Sequence, residues 1–294
     1  MSEPDVTSSR WSVWITTPAL IAVAVFIASA GGSQTRPPTA GLPLLVLGWV
    51  LLLNAAAWIP AYLKRTEHFY DLIGSASFIS SMVLVGFLIQ PGVAGWIMIG
   101  CVVMWSGRMA WFLVGRIRRQ GKDGRFDTIK TDPIRFLNAW MMQAIWAFLC
   151  LLPVLVRLEE GPSAPPSSLF WMGLCLWACG FLIEVVSDEQ KRGFRIKHPD
   201  GNQFIRNGLW SISRHPNYVG EILLWTGVTV MAVPVVSGWQ WIVLITPIFV
   251  YSLLRFVSGV PLLEARSDAR WGGREDYERY KDHTPVLFPL PWRR

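Results

Sequence analysis

The sequence predicts an all-α fold, a polytopic integral membrane bundle of seven to eight transmembrane helices. Three observations predict it. Of 294 residues, 52% are hydrophobic and only 16% are charged, whereas a soluble globular chain carries about 25% charged residues. The mean hydropathy is +0.36. The apolar residues also gather into windows of about 20, the length that crosses a hydrocarbon core of about 30 Å. Together these exclude a soluble enzyme, a disordered chain and a secreted disulfide scaffold.

The windows run near 11–31, 41–63, 71–90, 92–115, 135–157, 167–187, 219–237 and 240–257. The first carries Pro18, lacks a strongly basic leader and is followed at once by more spans, so it reads as a retained helix rather than a signal peptide. Breaks fall where the chemistry favours turns: Gly31-Gly32 through Pro37-Pro38, Lys64-Arg65, Pro91-Gly92, Pro162 through Pro166, and Ser237-Gly238. The whole chain, 1–294, reads as one transmembrane domain.

Basic residues set the expected orientation, because Lys and Arg collect in short cytoplasmic loops. The loops after the second, fourth and sixth windows and the C-terminal tail together hold 22 of the 27 basic residues. An even number of spans then puts both termini in the cytoplasm. This bias also accounts for the net charge of +7, so nucleic acid is not an expected partner; membrane lipids are, and no feature specifies a protein partner. All four cysteines (Cys101, Cys150, Cys175, Cys179) lie in apolar stretches without CxxC spacing, and no metal site is expected.

Candidate chemistry comes from polar groups in or beside the spans. An ionised side chain at mid-span costs about 2.5 to 3.5 kcal/mol on insertion scales. Arg108 lies eight residues before Arg116, about 12 Å along a helix, and Arg255 is near the cytoplasmic end of the last window. Each either reaches the headgroups or lines a cytoplasm-facing anionic pocket. Asp71 opens the third span, where it interacts with the helix dipole or acts as an acid. Glu184 and Asp188 share one helical face, placed to pair with Arg192 or Arg195 or to hold a polar ligand. The densest signal is Arg214-His215-Pro216-Asn217-Tyr218-Val219-Gly220-Glu221. Pro216 suits the first turn of a helix, whose unsatisfied N–H groups favour anions. Asn217 and Glu221 then share a face, and Gly220 lets another backbone approach.

That block, with Gly208-Leu-Trp before it, Val257-Ser-Gly-Val-Pro-Leu-Leu-Glu264 after it and the tail Tyr277-Glu-Arg-Tyr-Lys-Asp-His-Thr-Pro, resembles the bacterial DUF1295 family, which is similar to the C-terminal domain of steroid 5α-reductases. The resemblance covers about residues 60–290, leaving 1–60 as family-variable helices ahead of a core over 61–294. It implies a bacterial inner-membrane protein binding NADPH in its cytoplasmic half and passing hydride to the β-carbon of a lipophilic enone drawn from the bilayer. The nucleotide-binding pattern of those reductases matches Ser187, Asp188, Arg192 and Arg195, and their helix-7 motif matches Asn217, Gly220 and Glu221. Their spanning arginines match Arg108 and Arg255; Arg116, Arg214, His215, Tyr218 and Glu264 complete the candidate cofactor set. Where the reductases place a Gln-Glu pair and a tyrosine around the substrate carbonyl, this chain has Tyr70-Asp71 and Trp105. A tryptophan cannot protonate an enolate, which leaves Asp71 as the acid, with Tyr70 a substitute donor and Trp105 a substrate contact. The Arg-His-Pro-x-Tyr-x-Gly piece also occurs in isoprenylcysteine-type methyltransferases, so S-adenosylmethionine is the alternative cofactor, and a non-enzymatic, lipid-binding membrane protein the third reading.

Overall fold

A computed structural model describes residues 6–32, 41–120, 126–161 and 165–288, with the side chains of 6–16, 114 and 116–120 not described. The side chain of the candidate Arg116 therefore lies outside the described residues. Among the described residues there are helices and turns and no strands. The helices are α1 (Val6–Gly31), α2 (Leu42–Leu63), α3 (Tyr70–Leu88), α4 (Val93–Gln120), α5 (Pro133–Glu159), α6 (Ser168–Lys197), α7 (Pro216–Ala232), α8 (Ile245–Ser252), α9 (Val260–Trp271) and α10 (Glu275–His283). Among the described residues seven segments are long and apolar enough to cross a membrane, and the apolar part of α1 is the shorter stretch Thr17–Gly31. The protein is a polytopic helical membrane protein. Large apolar side chains such as Phe87 and Trp111 are almost fully exposed, which suits a surface bathed in lipid.

The chain forms two compact units, Met1–Ser167 with Ala232–Val243, and Ser168–Met231 with Leu244–Arg294. In the first, α5 packs against α1, α2, α3 and α4, and from Gln143 to Glu159 it is buried except at Trp146. Its start is specified locally: Pro133 stands in the first turn, and the Asp132 carboxylate accepts from the N–H groups of Ile134 and Arg135 at 3.0 and 3.1 Å. A buried amide network ties it to its neighbours. The Gln143 amide donates to Asn54 Oδ1 on α2 and to the Tyr70 carbonyl on α3, both at 3.1 Å, while Asn54 Nδ2 donates to Ser77 Oγ at 3.0 Å.

In the second unit, α6 and α7 run antiparallel in backbone contact. A methyl group at Gly180 would lie 2.6 Å from the Gly220 carbonyl oxygen, and one at Gly227 would lie 2.7 Å from that of Gly173. Small residues seven apart on both helices thus let the two backbones touch, as membrane helices do where lipid gives no hydrophobic drive to association. At 30 residues α6 is about 45 Å long, more than a hydrocarbon core needs, and its last turn carries Arg195 and Lys197.

The window at 240–257, expected as one plain helix, is part of a composite span, Gly238–Trp271. It runs through 3-10 geometry (Gly238–Leu244), α8, a π-helical turn (Leu253–Val257) and α9. The Ser258 N–H donates to the Leu253 carbonyl at 2.9 Å, a five-residue step. One extra residue per turn at that point re-aims the chain. Gly259 then fits because a methyl group there would lie 2.5 Å from the Leu254 carbonyl oxygen and 3.0 Å from the Tyr218 ring.

Candidate functional site

The site in the second unit is built on the end of α6. The turn Gly208–Ser211 docks on it: Leu209 N–H donates to Gln190 Oε1 at 3.0 Å and Trp210 Nε1 donates to the Ser187 carbonyl at 3.1 Å. Gly208 has φ +62 and a side chain there would collide with the Gln190 amide, so glycine is required at this turn. The tail closes over the same turn. Tyr280 Oη donates to the Trp210 carbonyl at 2.6 Å, Arg214 N–H to the Pro285 carbonyl at 2.9 Å, and Ser213 Oγ to that of Val286 at 3.4 Å.

Glu264, on α9, joins the two residues that precede α7. One carboxylate oxygen takes Arg214 Nη1 at 2.9 Å and the other His215 Nε2 at 2.8 Å. A carboxylate only accepts, so Nε2 carries the proton. Burial holds the His215 pKa below its ordinary value, against the pull of Glu264 in the other direction, so the ring is neutral near pH 7. Tyr218 stacks on it at 5.6 Å.

Arg214, His215 and Glu264 line a cavity of about 330 Å³, at the small end of the range of about 300 to 1,000 Å³ for ligand clefts. Its wall carries Lys191, Arg195, Arg214, Arg266 and Arg270 against the single carboxylate of Glu264. Trp210, Phe204, Tyr277 and Tyr280 supply aromatic surface; the Phe204 ring meets those of Tyr277 and Tyr280 at 5.1 and 5.4 Å. Burial pushes the Tyr277 hydroxyl up to about 12, with help from the charge of Asp268, and it stays protonated. Among the described residues, Arg214 Nε and His215 Nδ1 in this wall and Trp271 Nε1 beside them are buried without a hydrogen-bond partner. Cations, orphaned polar atoms and flat rings around one hollow suit part of a phosphorylated nucleotide.

Of the predicted cofactor residues, the structure brings Arg195, Arg214, His215 and Glu264 to this cavity. Arg192 is not among its lining; it is exposed and pairs with Glu189 at 2.5 Å. Asp188 sits one turn before it, half-buried. Asn217, Tyr218 and Glu221 occupy the first two turns of α7, where the Asn217 Oδ1 is buried without a hydrogen-bond partner among the described residues. Arg255 lies in the π turn with its guanidinium 5.4 Å from the Phe256 ring. Sequence reasoning missed Lys191, Arg266 and Arg270. Their signal was present: Lys191 with Arg195, and Arg266 with Arg270, are cations four apart on helices.

The substrate-side candidates belong to the first unit. Asp71 is half-buried in the first turn of α3. Tyr70 donates its hydroxyl proton to the Ala139 carbonyl at 2.9 Å, and its ring meets Phe126 at 4.8 Å and Trp140 at 5.0 Å. That proton is committed to the α5 backbone, so Tyr70 packs helices here rather than standing ready as a donor. Trp105 is buried with its ring 5.2 Å from Phe78 and 6.1 Å from Trp146. Arg108 lies half-buried on α4 with its guanidinium 6.0 Å from the Phe112 ring. Among the described residues no group of three or more His, Cys, Asp or Glu side chains is placed to hold a metal ion.

Comparison with known proteins places the fold in a family. A model described as a protein of unknown function, DUF1295, matches residues 57–284. The chain belongs to the DUF1295 family. It is also similar to a tomato (Solanum lycopersicum) protein named steroid 5-alpha-reductase DET2, at 28% identity over 121 residues, 41% of this chain and 42% of the relative. The 3-oxo-5-alpha-steroid 4-dehydrogenases 1 of Macaca fascicularis and Bos taurus are likewise 28% identical over 121 residues, 41% of this chain and 41% and 42% of theirs. The chain thus spans about two fifths of the length of the curated relatives it matches. No solved structure matches it.

Proposed function

We propose that this DUF1295 protein is a membrane-embedded reductase that binds NADPH in its second unit and reduces an activated carbon–carbon double bond of a lipophilic enone. The observation that carries the reading is the cation-lined cavity formed by the ends of α6 and α9, the entry to α7 and the tail. The similarity to proteins named steroid 5-alpha-reductases supports the reaction class. Reduced nicotinamide supplies the hydride when bound. The chain supplies the rest: Arg195 and Arg214 neutralise phosphate oxygens, and Asn217 and Glu221 offer polar atoms to the ribose or carboxamide. Trp210 and Phe204 offer flat apolar surface to the base. Asp71 is the proposed acid for the substrate carbonyl. Both termini are proposed to face the cytoplasm, following the basic loops.

The same cavity counts against S-adenosylmethionine, a cofactor without phosphates and cationic at sulfur. The test is thermal unfolding of the detergent-solubilised protein with each cofactor, since a ligand at 100 times its Kd stabilises by about 2.7 kcal/mol. NADPH is expected to raise the midpoint, and absorbance at the reduced nicotinamide band is expected to fall when a lipophilic enone is added. Stabilisation by S-adenosylmethionine with none by NADPH overturns the reading.

A further inference from the structure

We infer that Lys191, Arg266 and Arg270 form a subsite for a phosphomonoester, and that they make this chain prefer the 2′-phosphorylated dinucleotide over the unphosphorylated one. The inference rests on the reductase reading above and adds residues that the matched motifs do not contain. Its basis is the excess of cations over carboxylates in one cavity lining, where Lys191, Arg195, Arg214, Arg266 and Arg270 stand against the carboxylate of Glu264. Within it, Lys191, Arg266 and Arg270 make no ion pair to any carboxylate among the described residues. The cavity's own acid, Glu264, is already shared by Arg214 and His215.

The three are nevertheless positioned. The Lys191 ammonium sits 4.6 Å from the Trp210 ring centre, a cation–π contact that fixes the group while leaving its three N–H donors for an anion. Arg270 Nη2 donates to the Asp200 carbonyl at 3.2 Å, and its guanidinium fills the space where any side chain at Gly201 would stand, in a turn with φ +66. Arg266 is one helical turn before it on α9 and makes no hydrogen bond among the described residues. Lys191 feels the charge of Asp188 and Glu264 is in the same lining, but the cations outnumber these carboxylates and repel one another, so the arrangement gains most from a ligand of high charge density. A phosphomonoester carries a charge of about −1.5 to −2 at pH 7. With Arg195 and Arg214 left for the two bridging phosphates, the further three cations match one more, dianionic, group.

The experiment compares binding of NADPH and NADH to the full-length protein in detergent, read by quenching of its 17 tryptophans. Lys191→Met is tested beside Lys191→Arg and the double variant Arg266→Met with Arg270→Met, and unfolding without ligand reports whether each still folds. The unaltered protein is expected to bind NADPH about tenfold or more tighter than NADH, a gap that one or two charge-assisted hydrogen bonds can supply. Lys191→Met and the α9 double variant are expected to weaken NADPH by about tenfold while leaving NADH within about twofold, and Lys191→Arg to keep most of the preference. If Lys191→Met fails to fold, the exposed α9 pair gives the same readout. Equal affinity for both dinucleotides in the unaltered protein, or variants that weaken both alike, overturns this inference and leaves the reductase reading standing. Binding of neither dinucleotide overturns both.

Discussion

Replacing Gly180 with alanine adds one methyl group where α6 and α7 meet. That methyl would lie 2.5 Å from the Leu224 nitrogen, 2.6 Å from the Gly220 oxygen and 3.0 Å from the Leu223 carbonyl carbon, whereas ordinary contact begins at 3.4 Å. All three neighbours are backbone, so no side chain can rotate away and the helices must part by about 0.9 Å. Overpacking of this kind costs about 1 to 3 kcal/mol, against about 1 kcal/mol regained from the higher helix propensity of alanine. Net destabilisation of up to about 2 kcal/mol is expected. Gly193→Ala is the internal control, because it lies on the same helix with nothing within 4 Å of its added methyl. It is expected to stabilise by about 0.5 to 1 kcal/mol. Thermal unfolding of the two variants in one detergent gives opposite signs. A rise in midpoint for Gly180→Ala equal to that for Gly193→Ala would refute the backbone contact. Since Asp188 follows Gly180 by two turns and Asn217 precedes Gly220 by one, the same variant is expected to weaken NADPH binding, whereas Gly193→Ala is not.

Glu264→Gln removes the charge that Arg214 and His215 share, with the side chains of Arg214 and Glu264 only 14% and 22% exposed; loss of about 2 kcal/mol is expected by chemical denaturation, and a loss under about 0.5 kcal/mol would mean the bridge is not formed. For His215 the folded pKa lies below the unfolded value of 6.5, so the unfolded chain takes up the proton first. Its contribution is fully present above pH 6.5 and shrinks as pH falls from there towards the folded pKa. The unfolding midpoint is therefore expected to drop between about pH 7 and 5, with a shallower slope in His215→Gln; an unchanged slope would count against the buried, neutral ring. Asn54→Leu removes one of the two acceptors of the Gln143 amide and is expected to cost about 0.5 to 1.5 kcal/mol, measurable as a lowered midpoint with NADPH affinity retained.

Hydropathy made most of the spans legible, because a membrane helix has to be apolar along its whole length. The start of α7 at Pro216 and that of α3 beside Asp71 were also legible, since capping and proline chemistry act within one turn. What escaped depends on contacts between distant segments. The π turn at Leu253–Val257 is invisible to a 20-residue window, which averages over local geometry. The glycines at 173, 180, 220 and 227 signal a shared interface only when the two helices are read as a pair. At the candidate site, the Arg-His-Pro-Asn-Tyr block drew notice to Arg214 and His215, whereas only the folded chain shows that Lys191 and Arg270 line the same cavity. Tyr70, read from the sequence as a substitute donor, gives its hydroxyl proton to the Ala139 carbonyl, a partner 69 residues away that the sequence does not reveal.

The strap that Tyr280, Pro285 and Val286 lay across the turn at Trp210 to Arg214 has a consequence for biogenesis. Val286 is 73 residues downstream of Ser213, so α6 and α7 are synthesised before the segment that closes over the turn between them. Until then the arginines at the mouth of the cavity have no wall opposite them. The helices of this unit are made first, and the cavity is completed only when the stretch from Tyr280 to Val286 folds back over the turn.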